Sequence, residues 1–235
     1  FKAAVDDERI GSIVIPVDSP GGNIYGITEA AQAIYDARGS KPITAAVDPM
    51  AASAALWVAS AASEVVSTPS GTVGSIGVLM VHTDQSGALE KEGLKVTVIE
   101  SSQSPYKTEG FGHQALSEEA YRHFKAEVDD AARLFVADMA RNRGVTEAKV
   151  LSDFGGGRML SAKDALKVGL IDRIETLDQV IQRHGGAKNA ALIAANDGPA
   201  LQASVSPEEQ ERAARLWEIA LSNPPETGAN TQGQE

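Results

Sequence analysis

Three places in the chain combine residue types and settings that suit nucleophilic chemistry. The first is Ser53, within Pro49-Met50-Ala51-Ala52-Ser53-Ala54-Ala55, after a strand-like run and at the start of a helix of small residues. A hydroxyl there lies near the positive helix end, and the next backbone N–H can serve an oxyanion. Local sequence describes an ordinary helix-capping serine even more readily. The second is Asp18-Ser19-Pro20-Gly21-Gly22, also between a strand and a helix, at the sheet end where α/β proteins hold ligands. Paired glycines let backbone approach a ligand and point N–H groups at an anion. An oxyanion hole and a phosphate cradle both fit, and a tight strand-to-helix turn needs the same glycines. The third is Lys107, in the polar stretch 101–112. A lysine becomes a base at neutral pH only when burial lowers its pKa by about three units from about 10.4, disfavouring the ammonium by about 4 kcal/mol. Local sequence describes Lys107 as a solvated surface charge.

The elements that must position these residues follow from periodicity. Residues 10–17 form a nearly continuous apolar run, as in a strand covered on both faces. Ile24, Ile27, Ala31 and Ile34 then recur at helical spacing, with Gly39 as a stop. Residues 43–47 read as a strand and 51–63 as a helix. Residues 65–67, 76–82 and 96–100 read as strands, with a helix over 85–92. Ser117 followed by Glu118 and Glu119 starts a long helix whose stripe is Tyr121, Phe124, Val128, Ala132, Phe135 and Met139, ended by Gly144. Residues 158–160, 161–168 and 170–174 read as strand, helix and strand. The alternation predicts an α/β domain with a mostly parallel sheet, flanking helices and right-handed crossovers. We expect that domain over 1–183. Residues 184–235 read as a linker and tail, with one short amphipathic helix over 207–221 and disorder over 222–235.

Composition narrows the function classes. The chain has 235 residues, 43% of them hydrophobic, enough for a sizeable core. A net charge of −11 without a basic block argues against nucleic-acid binding. With no cysteine there is no disulfide, thiol nucleophile or thiolate metal site, which fits a reducing compartment. The four histidines, His82, His113, His123 and His184, lack the spacing of a helical metal site, so neither metal nor cofactor is expected. No apolar run approaches the roughly 20 residues of a membrane helix, and the start lacks the order of a secretory signal. These features predict a soluble, cytoplasmic chain. Residues 1–9 read like the end of a helix, which points to an upstream segment.

Taken together, the motifs resemble the signal-peptide peptidase A family of serine–lysine peptidases, and within it the branch of phage capsid (head-maturation) proteases. Asp18-Ser19-Pro20-Gly21-Gly22 looks like the family's oxyanion loop, and Ala52-Ser53-Ala54 sits where the family has its nucleophile. Thr72-Val73-Gly74-Ser75-Ile76-Gly77-Val78 resembles the segment beside the site, and residues 79–95 are similar to the phage branch in particular. Residues 101–110 match the loop whose lysine is the base. Gly157-Arg158, Ser161-Ala162, Ala165 and Gly169-Leu170-Ile171-Asp172 look like the closing helix and strand. The resemblance runs from about residue 5 to 182. It departs from the family where Ala54-Ala55 replaces the usual glycine after the serine, and where Thr108-Glu109 follows the lysine. Lys95 and Lys125, the neighbouring lysines, fall on other elements.

The resemblance implies a Clp/crotonase-like fold and a serine endopeptidase. Its nucleophile would be Ser53, its base Lys107, and its oxyanion donors Gly22 and Ala54. Gly21, Asn23, Gly74 and Ser75 would line the substrate, with Ser75 orienting the lysine. It implies a protein or peptide substrate, such as a scaffold or capsid protein, and a homo-oligomer with the site near a subunit interface. A phage-encoded chain would act in the host cytoplasm or the procapsid. Four rivals compete with this reading. They are a Clp-like triad of Ser53, His82 and Asp84 or Asp130, a crotonase-type thioester enzyme, a membrane-associated peptidase degrading signal peptides, and a non-catalytic capsid-assembly domain.

Overall fold

A computed structural model describes residues 1–185 and the backbone of 190–192. The expected tail helix over 207–221 and the disorder over 222–235 lie outside the described residues. A short helix α1 (Lys2–Asp6) leads into β1 (Ser12–Ser19), α2 (Ile27–Ala37), β2 (Ile43–Ala52), α3 (Ala54–Ser60), β3 (Glu64–Ser67) and β4 (Thr72–Gly74). Then come α4 (Ser86–Lys91), α5 (Glu118–Arg143), α6 (Glu147–Asp153), β5 (Met159–Ser161), α7 (Ala162–Val168), β6 (Arg173–Ile174), α8 (Leu177–Arg183) and β7 (Ala190–Leu192). The strands join in one sheet, parallel throughout except for the antiparallel pair β4–β5. The mostly parallel α/β architecture expected from the sequence is the one observed.

β2 is the axis of the sheet. Along one edge it pairs with β1, from Ile13↔Ile43 to Val17↔Val47. Its other edge is shared: the first half pairs with β3 and the second half, Met50–Ala52, with β4. The strand therefore runs deeper into the sheet than its apolar run suggested, reaching Ala52, and α3 begins three residues later than expected. Between β1 and β2 the register shifts, from Val17↔Val47 to Ser19↔Ala51. That irregularity brings the loop after β1 beside the end of β2. β7, beyond residue 183, extends the sheet on the far side of β1.

Burial explains the near-continuous apolar strands. Ile13, Val14, Ile43, Ala45, Val65, Val66 and Val73 are fully buried, as a sheet with helices on both faces requires. Ser117 caps α5 through its Oγ, which accepts the Ala120 N–H at 3.0 Å, and Gly144 ends the helix in the left-handed conformation. Only the second half of the predicted α5 stripe enters the core: Phe135 and Met139 are buried, whereas Tyr121 is exposed.

Two expected strands do not form. Residues 76–82 and 96–100 carry strand-type sequence, yet no ladder pairs them. A strand exists only where a neighbour accepts its backbone hydrogen bonds, and the described chain offers none there. Ile76 is buried and Val78 packs against the core, but the other apolar side chains are less covered, with Leu79 80%, Val81 77% and Ile99 93% exposed. Among the described residues, no helix is long and apolar enough to cross a membrane.

At the opposite end of β2 from Ser53, the Thr44 hydroxyl meets His184 Nε2 at 2.9 Å, tying α8 to the sheet. Burial, reinforced by the Arg183 guanidinium, holds the His184 pKa below its ordinary value. The fold therefore favours neutral imidazole, and the unfolded chain takes up this proton more readily. Stability should fall as pH drops through about 6.5 and stop falling below the folded-state value. We expect His184→Gln to reduce the loss of thermal midpoint between pH 7 and pH 5, measured by calorimetry against the parent chain.

Candidate active site

Ser53 sits at the hinge between β2 and α3 with φ 52° and ψ −125°. For a non-glycine residue this backbone state is disfavoured by about 1–3 kcal/mol and persists only where neighbours enforce it. The Ser53 N–H donates to the Gly74 carbonyl at 2.9 Å, and its own carbonyl accepts the Trp57 N–H at 3.0 Å. Ser53 occupies the cap position of α3, yet its hydroxyl makes no capping hydrogen bond. The helix-cap reading of this serine is thereby removed. Its half-buried hydroxyl stands at a strand–turn–helix corner with no structural bond to satisfy.

The glycine loop after β1 closes on the same corner. A Cβ at Gly21 would lie 2.7 Å from Ser53 Cβ, 2.8 Å from the Ala52 carbonyl oxygen and 3.1 Å from the Ala54 nitrogen. Gly21, at φ +99°, is required both by its backbone and by this contact. Its N–H donates to Ser19 Oγ at 3.2 Å. The next residue, Gly22, faces open space, with nothing within 4 Å of where a side chain would begin. Among the described residues, neither the Gly22 nor the Ala54 N–H has an acceptor. Both amides are thus free to donate, one next to the serine in the chain and one in the loop packed against it. Asn23 uses its Oδ1 locally, accepting the Tyr25 N–H at 3.0 Å.

β4 forms the other wall. A Cβ at Gly74 would come within 2.3 Å of the Arg158 carbonyl oxygen, and that same carbonyl accepts the Ser75 N–H at 3.0 Å. Ser75, like Ser53, is a non-glycine residue at positive φ, 55°. The carbonyl is delivered by Gly155-Gly156-Gly157, three consecutive glycines at positive φ. The sequence reading missed this support, although the triplet itself is a legible signal for a backbone held against another strand.

Lys107 makes no hydrogen bond to this constellation. It is exposed on a turn whose backbone bond runs from the Lys107 N–H to the Ser104 carbonyl at 3.2 Å, and its ammonium has no partner among the described residues. The chain therefore brings Ser53, Gly21, Ala54, Gly74 and Ser75 together, while no hydrogen bond or ion pair among the described residues joins Lys107 to them. The rival triad gains no support. Asp84 accepts the Ser86 N–H, Asp130 pairs with Arg133, and His82 Nε2 is buried without a partner. No group of three or more acidic or histidine side chains among the described residues could hold a metal.

Comparison with known proteins gives this corner its context. Residues 36–191 match the model of Peptidase family S49. The chain belongs to this family. It is 32% identical over 181 residues to Head-tail preconnector protein GP5 of Enterobacteria phage P21, covering 72% of the chain and 36% of that protein. It is 30% identical over 174 residues to Capsid assembly protease C of Escherichia phage lambda, covering 74% of the chain and 39% of that protein. A Putative signal peptide peptidase SppA of Enterococcus faecium is 28% identical over 180 residues, covering 74% of the chain and 50% of that protein. The chain thus spans under two-fifths of the length of the two phage relatives.

The Gly21 contact makes a direct prediction. Gly21→Ala should lower stability by about 1–3 kcal/mol from backbone strain, and should slow fluorophosphonate labelling of Ser53 in the molecules that remain folded. Thermal denaturation and labelling of the same preparation check both effects.

Proposed function

We propose that this member of Peptidase family S49 is a serine endopeptidase in which Ser53 attacks the scissile carbonyl and Lys107 is the base. The observation that carries the reading is Ser53 itself: a strained serine with an unbonded hydroxyl, followed by the unpartnered Ala54 amide and packed against the loop that carries the unpartnered Gly22 amide. Ser53 Oγ adds to the carbonyl carbon while its proton passes to the neutral amine of Lys107. The Gly22 and Ala54 N–H groups hold the resulting oxyanion; losing one such donor costs about 10²–10³ in rate. Collapse breaks the C–N bond, and the lysine ammonium protonates the departing amine. Water then attacks the acyl ester by the reverse route, with its proton taken by the lysine and returned to Ser53 Oγ. Substrate backbone would lie extended beside Gly21–Asn23 and the Gly74–Ser75 segment, adding main-chain hydrogen bonds.

A homo-oligomer completes this mechanism. A lysine acts as a base at neutral pH only when burial disfavours its ammonium, and Lys107 stands exposed on the single chain. The same region bears the unpaired strand-type segments 76–82 and 96–100 and the uncovered Tyr121. A second copy laid on this surface would pair those backbones, cover the apolar side chains and desolvate a lysine. The base of one site then comes from a neighbouring chain. The named phage relatives favour capsid or scaffold proteins as substrates, with action in the host cytoplasm or the procapsid. Family membership favours peptide hydrolysis over thioester chemistry.

Ser53→Ala and Lys107→Ala should each lower peptidase activity by more than about 10³. Mixing the two variant chains should restore turnover in hetero-oligomers, because some sites then combine an intact serine with an intact lysine. Activity assays on mixtures verified by native mass spectrometry test this. Full activity in Ser53→Ala would overturn the nucleophile, and verified mixed oligomers without rescue would place the base within one chain.

A further inference from the structure

α3 has seven residues, too few to hold its own geometry in water. Its position, and with it the backbone of Ser53, must be imposed from outside. The first-turn bond from the Trp57 N–H to the Ser53 carbonyl couples the two residues directly, at 3.0 Å. What fixes Trp57 therefore fixes the peptide plane that follows the serine.

Trp57 is fixed from α5, in two complementary ways. Its ring stacks on Phe135, with centroids 4.3 Å apart and planes within 5°. Stacked rings attract over a broad range of offsets, so this contact holds α3 at a distance without setting its rotation. Direction comes from the indole N–H, which donates to Asp138 Oδ2 at 2.8 Å. Asp138 is itself held by Arg141 at 3.1 Å. A charge-assisted bond of this length is directional and among the stronger kinds.

The far end of α3 is held by a second, separate set of bonds. Arg38 donates to the Ser60 and Ala61 carbonyls at 2.9 and 2.7 Å, and Asn142 Nδ2 donates to Ser60 Oγ at 2.9 Å. With that end pinned, the Trp57–Asp138 bond sets how α3 is rotated about its axis, and thus the direction in which Ser53 leaves β2.

We propose that Trp57 and Asp138 form a clamp that holds Ser53 in its strained positive-φ conformation, making both of them positioning residues for the nucleophile. The consequence for catalysis rests on the assignment of Ser53 as nucleophile; the consequence for the backbone does not. A core tryptophan serving only to fill space would need no aligned carboxylate. Phenylalanine could stack on Phe135 equally well. The carboxylate supplies a constraint on angle, and the residue one helical turn upstream is the one held at φ 52°.

The test uses the full chain and three variants. Trp57→Phe keeps a ring on Phe135 and removes the N–H, Asp138→Leu removes the acceptor, and Asp138→Asn keeps an acceptor oxygen. Hydrogen exchange of the amides of residues 53–57 reports the clamp without reference to activity, with β1 amides as the internal reference. Fluorophosphonate labelling of Ser53, peptide kcat and KM, and thermal midpoint are read on the same samples.

We expect Trp57→Phe and Asp138→Leu to accelerate exchange at 53–57 by about tenfold, equivalent to about 1.4 kcal/mol, and to lower labelling rate and kcat by a similar factor with KM unchanged. Asp138→Asn should stay within about twofold of the parent on every measure. Variants that lose thermal midpoint but keep parental exchange at 53–57 and parental labelling per folded molecule would overturn the clamp, leaving these residues as core packing. Accelerated exchange in these variants, with no Ser53-dependent labelling in the parent chain, would uphold the clamp and overturn the nucleophile.

Discussion

A serine held at positive φ, in a strained backbone state, is the constraint around which the described fold is arranged. At φ 52° and ψ −125°, Ser53 stays where it is only because its surroundings leave no alternative. β4 accepts its N–H through Gly74, α3 donates to its carbonyl through Trp57, and the loop after β1 presses Gly21 against its Cβ. Each support depends on something further out. Gly74 is backed by the Arg158 carbonyl, Gly21 is delivered by the register shift between β1 and β2, and Trp57 is braced by α5. The sheet forks at this point, with β3 and β4 sharing one edge of β2, so that β4 reaches the serine while β3 completes the core.

The division of the molecule into a finished part and an unfinished part is equally physical. The sheet, α2, α3, α7 and the second half of α5 bury a continuous apolar core. The stretch between β4 and α5 does not. It holds strand-type segments without ladders and apolar side chains without cover, and Lys107 lies within it. Exposed apolar surface of this kind marks a place where another surface belongs. The proposed nucleophile and the amides proposed to serve it lie within one chain, whereas the proposed base stands exposed on it, and this asymmetry favours the oligomer as the working unit.

The sequence carried much of this in readable form. The capping serine of α5, the second half of its period-3.6 stripe and the apolar runs of β1, β2 and β3 announced their roles through local chemistry. Ser53 did not. Small residues around a serine describe a cap as well as a nucleophile, and only its order among other motifs raised it above that. Residues 76–82 and 96–100 misled for a related reason. β-branched and apolar residues state a preference for extended backbone, but pairing is a property of two segments, and the second was not available. Trp57 and Asp138 are 81 residues apart, and no local pattern links them.

By itself, then, the sequence determined the alternation of elements, the parallel sheet, the identity of the glycines beside the serine and the family resemblance. All of these follow from short-range periodicity, turn chemistry or motif order. Tertiary structure decided the backbone state of Ser53, its freedom from capping, the wedge of Gly21 against it and the bracing of α3 by α5. It also decided that Lys107 stands exposed on a single chain. Those outcomes depend on which distant groups share a point in space. Hydrogen bonds and steric exclusion act over a few ångströms, whatever the distance along the chain.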